Sequence, residues 1–333
     1  MNEDERIPAT ASRLAVVAVD DCMSSAVVGV VEACAIASAQ APAGRSIRTF
    51  VVSPKGGEVM GAADMPIPST SRFDEFDRLD AIVLPPVFGS PNALLDDCPD
   101  LVEWTREANH GGTTVGAACT GTFLLAQTGA LDGRRATTTP AFSSLFRARF
   151  PKVQLMPALR LVDEGTLITA GATTSYLDLA LYLVARFLGP RVALGTARVL
   201  VTDANPRSQE PFLLPRPPRV HPDEAIRSVE DWIAKNLSAA FGPEELASVA
   251  ALSRRSLTRR FRNATGESLT AYIQRSRVEA AMQALEGSQL SFEEITVRCG
   301  YDDVRSFRRL FRRHAGLSPR EYRQRFGYVG RQP

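Results

Sequence analysis

Two seven-residue stretches, fifty residues apart, hold side chains suited to chemistry on a polyanion. Ser256-Leu257-Thr258-Arg259-Arg260-Phe261-Arg262 aligns with Ser306-Phe307-Arg308-Arg309-Leu310-Phe311-Arg312 at four positions of seven, and Gly266, Tyr272 and Arg275 recur as Gly316, Tyr322 and Arg325. A unit repeated at fixed spacing is one supersecondary element used twice. In each copy an apolar pair at i, i+4 (Leu257 and Phe261, then Phe307 and Phe311) anchors a helix. That leaves Arg255, Thr258, Arg259 and Arg262 outside in the first, and Arg305, Arg308, Arg309 and Arg312 outside in the second. Planar guanidinium forks suit phosphates and guanine edges. Arg259 and Arg309 sit mid-helix and are expected to read bases. Arg262 and Arg312, one residue past the anchors, are expected to hold phosphates. One such helix would as readily be a solvated face. Two with matching arginines, each preceded by a short helix and a tight turn, point to double-stranded DNA.

The second candidate is Gly116-Ala117-Ala118-Cys119-Thr120-Gly121. A strand, a cysteine on a sharp turn and a helix have the layout of a nucleophile elbow. A thiol at a helix N-terminus is expected to have a lowered pKa. Catalysis also needs a positioned acid or base, and His110, His221 and His314 have no evident path to Cys119. No catalytic residue is therefore expected. Cys119 and Thr120 are expected in a small-molecule effector pocket, with a purely structural Cys119 as the plainer reading. An active cysteine-dependent hydratase or hydrolase that also binds DNA, and a redox switch acting through Cys119, are the alternatives. The five cysteines contain no C-x-x-C pair, so no disulfide framework, metal site or cofactor is expected, and the chain reads as reduced and cytoplasmic. Cys299 lies on an apolar helix face and reads as core.

The elements around these residues change character along the chain. Residues 1–12 are expected to be disordered and carry no signal peptide. From Arg13, strand candidates (Leu14–Val19, Ile47–Val52, Ala81–Leu84, Thr113–Ala117) alternate with helix candidates (Ser24–Ala39, Leu101–Asn109, Thr122–Thr128). A hairpin is expected over Arg160–Val162 and Thr166–Thr169, then helices at Ser175–Leu188 and Arg191–Thr202. This predicts an α/β sandwich on a mainly parallel sheet over residues 13–203. Prolines 211, 215, 217, 218 and 222 make 204–222 a linker. Residues 223–328 read as all-α, with helix-turn-helix units at 243–263 and 291–313. Ser253 is expected to cap a recognition helix, and Ser291 with Glu294 and Ser318 with Glu321 to form capping boxes. A single helix over Ser268–Glu286 joins the units; its length, about 28 Å, approaches the roughly 34 Å turn of B-DNA. One chain is thus expected to read two successive major grooves, about 20 base pairs in all. No segment is long and apolar enough to span a bilayer. From Pro222 onward there are 19 Lys+Arg, 18 of them Arg, against 14 Asp+Glu; residues 1–221 hold 20 against 23. The opposite signs suggest different partners for the two parts.

On Ser256-Leu-Thr-Arg-Arg-Phe, Cys299-Gly-Tyr, Ser306-Phe-Arg-Arg-Leu-Phe and Gly316-Leu-Ser-Pro-Arg-Glu-Tyr-Arg, the C-terminal part resembles the DNA-binding domain of the AraC/XylS family. The resemblance implies that Arg255, Thr258, Arg259, Arg305, Arg308 and Arg309 face bases. On the Cys119-Thr120-Gly121 turn, Gly129-Ala-Leu-Asp-Gly-Arg-Arg-Ala-Thr-Thr, and Ala170-Gly171 with Asp178, the N-terminal part resembles the ThiJ/PfpI branch of the class I glutamine-amidotransferase-like superfamily. That pairing implies a regulator, a homodimer joined through the first domain, responding to a nitrogenous metabolite. Enzymatic members place a carboxylate three residues before the first helix's glycine, where this chain has Ala26 before Gly29. Their Pro-Gly-Gly turn is here Pro85-Pro86-Val87, and Pro86 has no N–H for an oxyanion. The residue after the cysteine is Thr120 rather than histidine, and Thr-Thr-His is here Thr138-Thr139-Pro140.

Overall fold

The β-branched run after Arg13 becomes the middle of a sheet. In the computed structural model, which describes residues 11–76, 78–91, 95, 98–203, 209, 221–239 and 241–327, strand β1 (Ala11–Val17) lies between β2 (Ser46–Ser53) and β6 (Ala81–Leu84), parallel to both. Leu14 to Val17 are fully buried, as fits a strand covered on both faces. Ala11 and Ser12 pair with Ser46 and Ile47, which corrects the expectation of disorder through residue 12.

Going along the sheet, β5 (Ser71–Arg72) follows β2 at one edge, and β7 (Thr114–Ala118), β11 (Leu167–Ala170) and β10 (Leu161–Asp163) follow β6 toward the other. Within this seven-stranded sheet only the β10–β11 pair is antiparallel. The chain moves one way from β1 to β2 and the other way from β6 to β7. Right-handed crossovers therefore place helix α1 (Ser24–Gln40) and helix α2 (Pro99–His110) on opposite faces. Helices α5 (Tyr176–Leu188) and α6 (Pro190–Val199) pack on α1, and α2 packs on α3 (Gly121–Gln127). The sequence reading did not contain the separate hairpin of β3 (Gly57–Gly61) and β4 (Met65–Ser69), the short parallel pair β8 (Arg135–Ala136) and β9 (Gln154–Leu155), or α4 (Ser143–Arg149).

Contacts divide the chain into two units, one ending at Gln209. Apart from Gln209, His221 and Pro222, the expected linker lies outside the described residues. Gln209 differs from that expectation: it is buried in the first unit.

The second unit is helical. Helix α7 (Glu224–Lys235) packs on a first helix pair, α8 (Pro243–Val249) and α9 (Arg254–Thr265). Helix α10 (Leu269–Gly287) leads to a second pair, α11 (Phe292–Arg298) and α12 (Val304–Ala315), closed by α13 (Pro319–Phe326). There are two cores. Leu246, Leu257 and Phe261 sit in the first with Ile226 and Ile233; Ile295, Cys299, Phe307 and Phe311 sit in the second with Val278 and Tyr322. No helix of the described residues is long and apolar enough to cross a membrane.

Candidate functional site

Helices α9 and α12 are each started and stopped by their own residues. Ser253 Oγ accepts from the Ser256 N–H at 3.3 Å, and Gly266 ends α9 in the left-handed region at φ +80°. Asp303 does the same for α12, accepting from the Arg305 N–H at 2.9 Å, with Gly316 at φ +69°. The capping boxes at Ser291–Glu294 and Ser318–Glu321 are both present. The two turns differ by one residue. Ala251 (φ +51°) and Gly300 (φ +73°) close the first helix of each pair, so α8 and α11 repeat at 49 residues while α9 and α12 repeat at 50.

With Leu257 and Phe261 fully buried, Arg255, Thr258, Arg259 and Arg262 are exposed; they line one open concavity of about 660 Å³ with Arg254 and Asn263. On α12, Arg305, Arg308, Arg309 and Arg312 are likewise exposed beyond buried Phe307 and Phe311. Arg308 is drawn sideways: Nη2 donates to Glu293 Oε1 at 3.1 Å, and the guanidinium lies over the Phe292 ring. Arg309 donates to Ser306 Oγ at 3.2 Å. The side chains of Arg255, Arg259, Arg262 and Arg305 have no hydrogen bond or ion pair to a described residue, and Arg312 has none at hydrogen-bond distance, though its charge acts on the Glu321 carboxyl. Uncompensated cations on two matching faces make a field suited to a polyanion. Arg260 is different. Its repeat counterpart, Leu310, is core, and Arg260 instead grips Asp223 with two hydrogen bonds of 2.9 and 2.6 Å. This pair holds the Asp223 carboxyl below its ordinary pKa.

The cysteine turn is built as the sequence suggested. Cys119 follows β7 in the left-handed region at φ +55°, a rare conformation for a residue with a Cβ. A Cβ on Gly121 would stand 2.6 Å from the carbonyl oxygens of both Leu84 and Pro85, so α3 can approach β6 only through glycine. The chemistry is not that of an activated thiol. Cys119 is buried, and burial pushes its pKa up despite the Thr120 N–H and the hydroxyls of Thr173, Thr139 and Thr120 near the sulfur. The expected lowering is thereby corrected: desolvation outweighs the first turn of a seven-residue helix. Thr120 lies beside it, buried, with its hydroxyl committed. It accepts from the Val87 N–H at 2.7 Å and donates to the Val87 carbonyl at 2.8 Å. The N–H that follows Pro86 is thus already bonded. Ala26 is buried on α1 and offers no carboxylate. His110 ends α2 beside the start of β7, about five strand residues, or about 16 Å, from the Cys119 end.

Two features here escaped the sequence reading. Thr138 Oγ1 donates to the Cys119 carbonyl at 2.6 Å. Gln209 lies over the same end of the sheet with its amide saturated. Nε2 donates to the carbonyls of Pro157 (2.7 Å) and Thr138 (3.2 Å), and Oε1 accepts from the Ala172 N–H (2.9 Å). A Cβ on Gly171 would overlap this amide. Nearby, Asp178 at the start of α5 is buried against Arg160, Nη2 to Oδ2 2.7 Å.

A helix-turn-helix domain model matches residues 246–325, and the DJ-1/PfpI family model matches residues 22–186. The chain is similar to the HTH-type transcriptional regulator CdhR of Pseudomonas aeruginosa, 27% identical over 277 residues that cover 83% of this chain and 81% of the relative. It is also similar to the HTH-type transcriptional regulator GbdR of the same species, 24% identical over 260 residues covering 74% and 71%. Among solved structures, a putative transcriptional regulator protein from Vibrio parahaemolyticus matches 57% of this chain and 99% of its own, with TM-score 0.53 and 23% identity. An AraC family transcriptional regulator from Pseudomonas putida matches 57% and 99%, with TM-score 0.51 and 18% identity. These two structures show the fold.

Proposed function

The chain joins a DJ-1/PfpI-family domain to an AraC-type helix-turn-helix domain and is a DNA-binding transcription regulator, and from that premise we propose that α9 and α12 are its two recognition helices, governed by a noncatalytic sensor domain. One observation carries the proposal. The same helix is built twice, each copy anchored by two fully buried residues and each presenting exposed arginine side chains with no hydrogen-bond partner among the described residues. Phosphates and guanine edges would supply the missing acceptors. Under this reading Arg255, Thr258, Arg259, Arg305 and Arg309 face bases, Arg262 and Arg312 hold phosphates, and Arg308 must leave Glu293 to take part.

The first domain is read as the receiver of a small-molecule effector at the carboxyl ends of its parallel strands, where ligands bind open α/β sheets. Cys119 lies there among threonine hydroxyls. Its buried thiol, the bonded Val87 N–H and Ala26 in the carboxylate position support a binding role over turnover. The protein is read as a cytoplasmic homodimer acting without a cofactor. Selection of the full-length protein on random duplexes tests the DNA assignment. Enrichment of a bipartite motif, lost in Arg259→Ala/Arg309→Ala, is expected; absence of any enriched sequence would remove it.

A further inference from the structure

The two helix-turn-helix units have separate cores, and α10 is the rod between them. Leu269, Tyr272 and Ile273 at its start belong to the first core; Val278, Ala281 and Leu285 belong to the second. A rod anchored at each end by its own core still allows the units to roll and splay. Arg277 lies on α10 where the two sets meet. Its Nη2 donates to the Ala239 carbonyl at 2.7 Å, in the segment that leads into α8, and its Nη1 donates to the Gly300 carbonyl at 3.1 Å, in the turn before α12. The guanidinium is flanked by one ring from each unit, Phe241 at 5.3 Å and Tyr301 at 5.2 Å. Gly300 meets the segment between α7 and α8 directly: a Cβ there would stand 2.7 Å from the Leu237 carbonyl oxygen and 2.8 Å from Arg277 Nη2. Its φ of +73° independently favours glycine. Only a planar, forked cation can bond two divergent carbonyls while stacking on two rings.

We propose that Arg277 is the positioning residue that fixes the separation of the two recognition helices, so that the protein accepts its two half-sites at one spacing only. The inference rests on the reading that both α9 and α12 enter DNA. Each inserted base pair moves one half-site about 3.4 Å along the duplex and about a tenth of a turn around it. A rigid clamp cannot follow; the second helix loses its base contacts, each worth about ten-fold or more.

The test measures full-length protein on duplexes with the selected spacing, with one base pair added or removed between half-sites, and with a single half-site. Wild type is expected to lose about 10- to 100-fold when the spacing changes. Arg277→Ala and Arg277→Lys are expected to reduce that penalty to about three-fold or less while single half-site binding stays at the wild-type level. Gly300→Ala, which wedges the units apart instead of releasing them, is expected to weaken the native spacing and leave single half-site binding intact. The proposal is overturned if Arg277→Lys keeps the wild-type penalty, or if the Arg277 variants weaken single half-sites as much as the full site. A wild-type protein indifferent to spacing would instead overturn the two-helix reading beneath it.

Discussion

Arg262 and Arg312 occupy equivalent places, one residue past the buried Phe261 and Phe311; both are exposed, and neither side chain makes a hydrogen bond or close ion pair to a described residue, although the charge of Arg312 helps hold the Glu321 carboxyl below its ordinary pKa. If each neutralises one phosphate, each releases about 0.9 of a condensed counterion. That release is worth about 1 kcal/mol at about 0.15 M salt and about 1.6 kcal/mol at about 0.05 M. Arg262→Ala should therefore weaken binding about five-fold at the higher salt and about fifteen-fold at the lower, equally on cognate and scrambled duplexes. The slope of log K against log salt should flatten by about 0.9, and by about twice that in the double variant with Arg312→Ala. Arg259→Ala and Arg309→Ala should behave differently. A lost bidentate base contact costs about 1–3 kcal/mol on the cognate duplex and relaxes preference at one or two base pairs. Fluorescence anisotropy across a salt series on both duplexes separates the classes. Equal losses on both duplexes for Arg259→Ala and Arg309→Ala, or an unchanged slope for Arg262→Ala, would refute the assignment of the two rows.

Three further outcomes follow from the geometry. Because burial raises the Cys119 pKa and only Cys98 of the five cysteines is partly exposed, about one cysteine of the native protein at about pH 8 should exchange quickly with a disulfide reagent, forming a mixed disulfide and releasing one equivalent of the reagent's thiol, and the others only on unfolding; rapid labelling of Cys119 would restore the redox and catalytic alternatives. Gly171→Ala should destabilise the first unit by about 1–3 kcal/mol through overlap with the Gln209 amide, and adding Gln209→Ala should recover part of that loss; strictly additive effects in thermal unfolding would show that the two do not touch. Arg260 depresses the folded-state pKa of Asp223, so this pair stabilises the second unit above the unfolded carboxylate pKa of about 3.9, and the contribution disappears as pH falls through the lower folded value. Asp223→Asn should flatten the loss of stability in that acid window; an unchanged profile would remove the pair as its source.

Local rules make most of the helical unit legible in the sequence. Caps act over three or four residues, so Ser253, Ser291–Glu294 and Ser318–Glu321 were readable directly, as were the i, i+4 anchors. The buried strands announced themselves through β-branched runs bounded by helices. The β3–β4 hairpin did not, because Pro66 and Pro68 break a strand pattern even though an isolated two-stranded sheet tolerates them. The extra residue in the second turn was hidden by an alignment centred on α9 and α12. The direction of the Cys119 pKa is not legible, because a sequence shows the helix that follows the cysteine but not the depth at which the thiol lies. Gln209 and Arg277 act through partners far along the chain: carbonyls 52 and 71 residues from Gln209, and 38 and 23 residues from Arg277. Nothing in their immediate neighbours marks either residue.

Hydroxyl-radical footprinting of the full-length protein on its selected duplex tests the central claim most directly. The account predicts that each chain protects two patches on the same face of the DNA, centred about one helical turn apart, with the second patch lost in Arg305→Ala/Arg309→Ala and the first retained. A single patch per chain, or two patches on opposite faces, would contradict it.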